Sequence, residues 1–345
     1  MKIVADTKVP FLKGVFEPYA EVVYKDGRDI CREDVADADA MITRTRTRCD
    51  RQLLEGSSVR IIATATIGTD HIDLPWCEGA GIEVANAAGC NSSGVMDYVF
   101  SALYAVAARK GISLEGKTFG IIGVGNVGKK VEQAARKLGF EVLLCDPPRA
   151  VAEGPEKFCS PGYLLMKSDI VTLHTPLNPG TVGMADANFF REIKPGAVFI
   201  NAARGEIVDE NELLHALPKL GAAIIDTWCN EPDVNRTLLD AVDIATPHIA
   251  GYSYQGKQNG TAAAVRAVAR HFGMEPLYDF FPKAETEDLE AVHLHIGSLS
   301  QGEVAAMIQY NYPIFTDDFF FRLDPDGFER IRSEYRYRRE FYLDL

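Results

Sequence analysis

Three residues, each following a separate apolar segment, have the types needed for proton and hydride chemistry on a hydroxy acid. They are Arg204 in "NAARGEIVDENEL", Glu231 in "DTWCNEP" and His248 in "TPHIAG". A guanidinium can hold a carboxylate and polarise a developing carbonyl. An imidazole can take a hydroxyl proton, while a carboxylate orients that imidazole and raises its basicity. Taken singly, His248 could cap a loop and Glu231 could occupy a turn, but together the three predict oxidation of a 2-hydroxy acid.

A glycine-rich turn predicts the cofactor of this reaction. In "KTFGIIGVGNVGKKVEQAARKLG" an apolar strand leads into Gly123, Gly125 and Gly128, and a helix follows. The first glycine permits a tight turn, the second lets the backbone approach a pyrophosphate, and the third allows close helix packing. Asp146 ends the next predicted strand and would accept hydrogen bonds from ribose hydroxyls, which favours NAD over NADP, although Arg149 weakens that preference. The alternative is a glycine turn that merely joins a strand to a helix.

The elements that must position these residues follow an α/β rhythm. The β-rich runs "KIVAD", "AMITR", "RIIATAT" and "IEVANA" alternate with helix-like or turn-rich stretches, as in βαβ units around a parallel sheet. A long helix from about Ser93 to Lys110 leads to a second set of apolar strands, which predicts a doubly wound nucleotide-binding domain. From about Pro276 the chain becomes aromatic and charged, and we interpret this part as a third, small unit.

Composition excludes several classes of protein. The 345 residues carry a formal net charge of −13, which argues against nucleic acid or an anionic membrane as the partner. The seven cysteines are odd in number and scattered, without a C-x-x-C pair, so we expect no metal site and a reducing, cytoplasmic location. The N-terminus lacks the apolar core of a signal peptide, and no apolar run is long and uncharged enough to span a membrane.

Several strings resemble the D-isomer-specific 2-hydroxyacid dehydrogenases over residues 1 to about 272. They are "GIIGVGNVGKKV", "HTPLNPGT", "NAARGEIVDENEL", "DTWCNEP" and "PHIAG". The longer strings "AAGCNSSGVMDYVFSALY" and "HIAGYSYQGK" narrow the resemblance to members with an extra C-terminal region. The resemblance implies an α/β chain with a Rossmann-type NAD-binding domain, a flavodoxin-like substrate domain that closes over NAD, and a small C-terminal α+β dimerisation domain. The corresponding ranges are 94–251 for the NAD-binding domain, 1–93 with 252–275 for the substrate domain, and 276–345 for the dimerisation domain.

The resemblance also implies roles for individual residues. The catalytic set is Arg204, Glu231 and His248, with His248 as the general acid/base. With the glycine-rich turn included, the NAD site comprises Gly123, Gly125, Asn126, Val127, Gly128, Asp146, Thr175, Ala202, Ala203, Arg204, Asp226 and Gly251. The residues that touch substrate are Thr45, Thr66 and Tyr252. Thr45 stands where the family leads us to expect serine, a change that keeps the hydroxyl. A homodimer is expected because the aromatic-rich C-terminal region needs something to cover it.

An arginine run remains to be explained in this acidic chain. "MITRTRTRC" places Arg44, Arg46 and Arg48 on one side of a predicted extended segment, with threonines opposite. The run could be a solvated strand edge protected by charge. A substrate with both a carboxylate and a phosphate, however, needs two cationic sites, and Arg204 can serve only one. We therefore assign Arg44 and Arg46 to the phosphate by hypothesis, and we expect Arg48 to be solvated.

Two other functions remain open. A related dehydrogenase could act on another phosphorylated hydroxy acid, such as 3-phosphoglycerate. A protein of this fold could instead bind NAD as a sensor without catalysing hydride transfer. The presence of Arg204, Glu231 and His248 counts against the sensor.

Overall fold

The chain folds into two compact units. The computed structural model describes residues 1–345. The first unit comprises Met1–Asn91 with Ser253–Glu290, and the second comprises Ser92–Tyr252 with Ala291–Leu345. No helix combines the length and the apolar character that crossing a bilayer would require.

Strands and helices are numbered in chain order. The strands are β1 (Lys2–Asp6), β2 (Glu21–Lys25), β3 (Ala40–Thr43), β4 (Ile61–Thr64), β5 (Glu83–Asn86), β6 (Thr118–Ile122), β7 (Glu141–Cys145), β8 (Ile170–Leu173), β9 (Val198–Asn201), β10 (Ala222–Ile225), β11 (Ile244–Ala245), β12 (Val292–His295) and β13 (Phe341–Asp344). The helices are α1 (Arg32–Val35), α2 (Arg51–Leu54), α3 (Leu74–Gly79), α4 (Ser92–Lys110), α5 (Asn126–Lys137), α6 (Pro147–Glu153), α7 (Pro161–Lys167), α8 (Ala187–Glu192), α9 (Glu210–Ala216), α10 (Arg236–Ala241), α11 (Tyr254–Phe272), α12 (Gln301–Asn311), α13 (Ile314–Leu323) and α14 (Phe328–Ser333).

The first unit is built on a parallel sheet with the strand order β2-β1-β3-β4-β5. Successive side chains of β1 enter different cores, since Ile3 and Ala5 pack on the face covered by α11 while Val4 packs on the opposite face. Burial on both faces explains why these strands are apolar without alternation. The strand order is that of flavodoxin-like sheets, which confirms the predicted fold of this part.

The second unit contains a parallel sheet with the order β11-β10-β9-β8-β6-β7. The chain enters at β6, continues to the edge strand β7, and then crosses back to β8 on the other side of β6. The direction of progress therefore reverses between β6 and β8, and open sheets of this kind bind ligands at the carboxyl ends of the strands at such a point. This architecture confirms the predicted doubly wound nucleotide-binding domain.

Helix α4 determines where the C-terminal segment lies. Every residue of α4 from Ser92 to Ala107 is buried, and a helix that is apolar on all sides must be covered on all sides. The helix packs against α5 within the Rossmann-type fold and against α12 and α13 of the C-terminal segment. Leu294, Ile308 and Phe341 belong to the same hydrophobic core as α4.

The C-terminal region, predicted as one domain over residues 276–345, contributes to both compact units. Residues up to Glu290 belong to the first unit, and Ala291–Leu345 share the core of the second. This segment has mixed α and β content, because β12 and β13 pair in parallel beside α12, α13 and α14. It packs on α4 through α12 and α13 and so contributes to the burial of that helix.

Candidate active site

The glycine-rich turn joins β6 to α5. Gly123 has a φ of +87°, and a Cβ on it would lie 2.7 Å from backbone atoms of His174 and Thr175. Gly125 caps α5 and has nothing within 4 Å of a Cβ position. A Cβ on Gly128 would lie 2.1 Å from the carbonyl oxygen of Gly123. The turn is therefore tight, open at its centre and closely packed at its end, which is the geometry of a dinucleotide phosphate loop.

Asp146 follows β7 and is fixed beside this turn. Its Oδ2 accepts a hydrogen bond from Val124 N at 2.8 Å, and its Oδ1 accepts one from Arg149 N at 3.1 Å. The Arg149 guanidinium donates to both carboxylate oxygens of Glu153 at 2.6 Å and to Val124 O at 2.7 Å. Because Glu153 neutralises Arg149, this arginine offers little attraction to a 2′-phosphate. The geometry strengthens the expected preference for NAD over NADP.

Further residues expected near the cofactor follow β8 and β9. Thr175 lies after β8, and its hydroxyl is buried without a hydrogen-bond partner. Ala202 and Ala203 follow β9, and Ala203 N donates to Asn201 Oδ1 at 3.1 Å. A buried hydroxyl without a partner costs free energy, so a polar ligand atom at Thr175 would complete its hydrogen bonding. These residues fit a bound dinucleotide.

Glu231 and His248 form a hydrogen-bonded pair. His248 Nδ1 lies 2.8 Å from Glu231 Oε2 and 3.1 Å from Oε1. Oε1 also accepts a hydrogen bond from Trp228 N at 3.0 Å. An ionised carboxylate can only accept hydrogen bonds, so the pair places the neutral imidazole proton on Nδ1 and leaves a lone pair on Nε2. His248 Nε2 is therefore prepared to act as a base.

The surroundings of Glu231 keep it ionised. Burial by itself would raise its pKa. The charge and hydrogen bond of His248, the backbone N–H of Trp228 and the charge of Arg332 outweigh this effect, and the pKa of Glu231 lies below its usual value. A carboxylate that stays charged at neutral pH can stabilise an imidazolium as it forms.

The backbone around His248 adopts an unusual conformation that Asp226 supports. His248 has a φ of +56°, in the left-handed region. Asp226 is fully buried, and its carboxylate accepts hydrogen bonds from Ile249 N at 2.8 Å, Ala250 N at 2.9 Å and Thr246 Oγ1 at 2.7 Å. Burial raises the pKa of Asp226. The structure therefore places the carboxylate of this predicted NAD-site residue beneath the loop that carries His248.

Arg204 lies in the turn after β9 and is linked to the same loop. Buried Asn201 donates from Nδ2 to Arg204 O at 3.0 Å. A Cβ on the next residue, Gly205, would lie 1.9 Å from the carbonyl carbon of Trp228. Trp228 in turn donates its backbone N–H to Glu231. The turn of Arg204 and the loop of Glu231 are thus in direct backbone contact, and the structure brings the three predicted catalytic residues onto connected loops.

In the first unit the arginine run turns instead of extending, so the predicted extended segment is wrong. Strand β3 ends before Arg44, whose Nε donates to Oδ2 of fully buried Asp6 at 3.0 Å. Thr47 is buried, and its hydroxyl donates to Gly27 O at 2.9 Å, which pulls the chain inward. Arg48 has 85% of its side chain exposed, as expected for a solvated residue. Arg44 is thus turned toward a buried carboxylate, while Arg48 is turned toward solvent.

The remaining predicted substrate residues of the first unit follow neighbouring strands. Thr45 is exposed and Arg46 is half-buried in the turn after β3. Thr66 follows β4, with its hydroxyl 2.7 Å from that of Thr64. Because β3 and β4 are parallel neighbours, these residues lie at one edge of the sheet of that unit.

Aromatic and basic side chains of the C-terminal segment pack around Tyr252, a contact that no motif in the sequence predicts. The Tyr252 ring makes edge-to-face contacts with Tyr335 and Tyr337, with centroids 5.9 and 6.2 Å apart. The Arg332 guanidinium carbon lies 5.7 Å from the same ring centroid. The alternation of tyrosine and arginine in "SEYRYRRE" indicates a segment that packs against another part of the chain. The sequence alone does not identify the residue that these side chains contact.

Two further histidines are held neutral. Burial lowers the pKa of His174 to about 3, and its Nε2 lies 3.1 Å from Thr172 Oγ1. Burial also lowers the pKa of His71. Neither provides a positive charge at neutral pH. No group of histidine, cysteine and acidic side chains has the arrangement of a metal site.

Comparison with known proteins defines the class. The NAD binding domain of the D-isomer specific 2-hydroxyacid dehydrogenases matches residues 98–250. The chain belongs to this family, and it is an NAD-dependent dehydrogenase with the predicted cofactor and fold. A Bacteroides fragilis relative named erythronate-4-phosphate dehydrogenase is 44% identical over 347 residues, covering 99% of this chain and 97% of the relative. An Escherichia coli relative of the same name is 39% identical over 351 residues, covering 99% and 92%.

A solved structure shows the same fold. The NAD+-bound 3-phosphoglycerate dehydrogenase of Entamoeba histolytica superposes with a TM-score of 0.67 at 28% identity, covering 79% of this chain and 96% of that one. About a fifth of the present chain therefore has no counterpart in this neighbour.

Proposed function

We propose that this protein oxidises 4-phospho-D-erythronate to 2-oxo-3-hydroxy-4-phosphobutanoate with NAD, a step in pyridoxal 5′-phosphate (vitamin B6) biosynthesis. The observation that carries the reaction type is the hydrogen-bonded pair of Glu231 and His248. Similarity over nearly the full chain to relatives named for this substrate supports the choice of substrate.

The catalytic roles follow from the chemistry of the three side chains. Arg204 holds the substrate carboxylate and polarises the oxygen on C2. His248 Nε2 takes the proton of the C2 hydroxyl, and Glu231 stabilises the imidazolium that results. Bound NAD supplies the acceptor for the hydride that leaves C2. The C2–H bond breaks, the C2=O double bond forms, and the proton remains on His248 until solvent removes it.

The cofactor and substrate assignments are part of this proposal. The glycine-rich turn and the helix N-terminus that follows it bind the pyrophosphate. The residues assigned to NAD are Gly123, Gly125, Asn126, Val127, Gly128, Asp146, Thr175, Ala202, Ala203, Arg204, Asp226 and Gly251. Those assigned to substrate are Arg44, Thr45, Arg46, Thr66 and Tyr252. Asp226 acts through the loop that it holds. Arg44 has a structural role as well, since it neutralises Asp6.

We also propose that the protein is a cytoplasmic homodimer formed through its C-terminal segment. Several apolar side chains of α12 and α13 are exposed: Tyr310, Phe319, Phe320 and Leu323. A second copy of this chain would cover this patch. Light scattering tests this, because Phe320→Glu should give monomers. Val151→Glu in α6, where the parent valine is 90% exposed, is the matched control.

Steady-state kinetics with purified protein test the reaction. NADH formation is followed by absorbance with 4-phospho-D-erythronate and, separately, with 3-phosphoglycerate. A higher kcat/KM for 4-phospho-D-erythronate supports the proposal, and a higher value for 3-phosphoglycerate favours the alternative that the solved neighbour represents. NAD binding without turnover of either compound would indicate a sensor.

A further inference from the structure

Arg338 lies in the C-terminal segment between α14 and β13, and its guanidinium faces the backbone that follows the catalytic histidine. Nη1 donates hydrogen bonds to the carbonyl oxygens of Ile249 and Tyr252, both at 3.1 Å. Nη2 donates to the carbonyl oxygen of Gly94 at 3.0 Å and also to that of Ala250. One side chain from the C-terminal segment thus binds three carbonyls of a single loop.

Aromatic and acidic side chains of the C-terminal segment surround this guanidinium. The Tyr312 ring lies beneath it, with its centroid 4.0 Å from the guanidinium carbon. The Tyr335 hydroxyl accepts a hydrogen bond from Nη1 at 3.3 Å, and the charge of Asp317 acts on the group. The Nε atom is buried and has no hydrogen-bond partner. Enclosing a charge is costly unless it is hydrogen-bonded or has an opposite charge nearby. The carbonyls accept hydrogen bonds from both terminal nitrogens, and Asp317 supplies the nearby charge.

The loop after His248 is consequently held from two sides. Asp226 accepts hydrogen bonds from the N–H groups of Ile249 and Ala250, and Arg338 donates to the carbonyl oxygens of the same two residues. His248 has a φ of +56°, and such a conformation persists only where the surrounding structure fixes it. On the carbonyl side, Ile249 O also accepts a hydrogen bond from Tyr252 N at 2.8 Å, and Arg338 is the side chain that donates to both Ile249 O and Ala250 O.

We propose that Arg338 is a positioning residue for catalysis, through which the C-terminal segment fixes the orientation of His248 and the adjoining Gly251 and Tyr252. The proposal rests on the proposed function, because that function assigns these three residues to proton transfer, NAD and substrate. Arg338 itself contacts only protein. Its loss should affect turnover more than overall stability, since a displacement of about 1 Å in a reacting group can reduce the rate about 100-fold.

The test compares variants of the full-length protein. Arg338→Ala removes the guanidinium, while Arg338→Lys keeps the charge but replaces the two terminal nitrogens that bind four carbonyls with a single nitrogen. Arg339→Ala is the matched control, because Arg339 anchors the same segment to Asn311 Oδ1 at 3.0 Å without contacting the loop. For each variant we would measure kcat, KM, the NADH dissociation constant and the melting temperature.

We expect kcat to fall at least about 10-fold in Arg338→Ala, and less in Arg338→Lys, while Arg339→Ala stays within about two-fold of the parent. Added methylguanidinium should restore part of the turnover of Arg338→Ala and have no effect on Arg339→Ala. A purely structural role would lower the melting temperature without such rescue. If Arg338→Ala does not fold, Arg338→Lys decides the question.

Folded Arg338 variants with kcat and NADH affinity within about two-fold of the parent would overturn the proposal. Failure of the proposed function has a different signature, because the parent protein itself would not turn over 4-phospho-D-erythronate. In that case NADH binding still tests the positioning role. Weaker NADH binding in Arg338→Ala than in Arg339→Ala supports that role, and equal binding refutes it.

Discussion

Exchange of Glu231 for glutamine tests the assignment of His248 as the proton acceptor. Glutamine keeps the shape of the side chain, and its carbonyl oxygen can still accept the hydrogen bond from Trp228 N. Its amide nitrogen would then stand in place of the oxygen that lies 2.8 Å from His248 Nδ1. Because this nitrogen donates, the shorter contact favours the tautomer that carries its proton on Nε2, which cannot accept the substrate proton, and the longer 3.1 Å contact to the retained oxygen only weakly opposes this change.

The magnitude follows from the charge that is removed. An imidazolium and a carboxylate with centres about 4 Å apart attract by about 4 kcal/mol at an effective dielectric constant of about 20. The side chains of His248 and Glu231 are 29% and 21% exposed, so solvent weakens the attraction, and we take about 2 kcal/mol as the lower bound. This range corresponds to a decrease in kcat of about 30- to 1,000-fold.

The assay is steady-state NADH formation at saturating NAD and substrate. Glu210→Gln is the control. Glu210 lies in α9 and accepts a hydrogen bond at 2.8 Å from the backbone N–H of Cys229, which belongs to the loop of Glu231, but Glu210 does not contact the imidazole. We expect Glu231→Gln to retain NADH binding and to lose turnover, while Glu210→Gln keeps most of its activity. A decrease of less than about ten-fold, or equal decreases in the two variants, would refute the assignment.

Three other changes follow from the structure. Gly205→Ala places a methyl group against the Trp228 backbone and should lower the free energy of unfolding by about 3 kcal/mol in urea denaturation; an unchanged value would contradict the packing. Arg44→Ala should raise KM more for a phosphorylated than for an unphosphorylated substrate. Arg48 is exposed, and Arg48→Ala should change neither KM value. Equal effects of Arg44→Ala on the two KM values would show that Arg44 does not bind the phosphate. Burial alone would raise the pKa of Asp34, but its lysine partner and hydrogen bonds lower it from 3.8 to about 2. Asp34→Asn should therefore lower the free energy of unfolding by about 1 kcal/mol at neutral pH. This difference from the parent should disappear as the pH falls from 3.8 through 2. Urea denaturation of both proteins at neutral pH and at a pH near 2 measures it.

The arrangement of strands was predictable because burial on both faces leaves a distinct pattern. The apolar runs before Gly123 and Asp146 became neighbouring strands of the second unit, and the long helix expected from about Ser93 was found as α4. The position of the C-terminal segment was not predictable in the same way. An apolar helix shows that something must cover it, but its sequence does not identify which segment does so.

The candidate site was predictable where residues follow successive strands of one sheet. Glu231 and His248 follow β10 and β11, so their proximity could be inferred from the expected topology. The pairing of Arg44 with Asp6 could not be inferred, since it depends on β1 and β3 lying side by side. The contacts of Arg338 could not be predicted from the sequence either, because they join segments that are far apart in the chain and meet only through tertiary packing.

The loop after His248 shows why catalysis and the C-terminal segment cannot be separated in this chain. Ile249 and Ala250 are almost completely buried, so water cannot replace a lost hydrogen-bond partner for their carbonyl groups. A buried acceptor left without a partner costs about 1–3 kcal/mol. Without Arg338 the carbonyls of Ala250 and Tyr252 would lose this donor, whereas Ile249 O would keep its hydrogen bond from Tyr252 N at 2.8 Å. The left-handed backbone at His248 is the least favourable conformation in this loop, so it would relax first. The imidazole would then change its orientation while the sheet beneath it stayed folded.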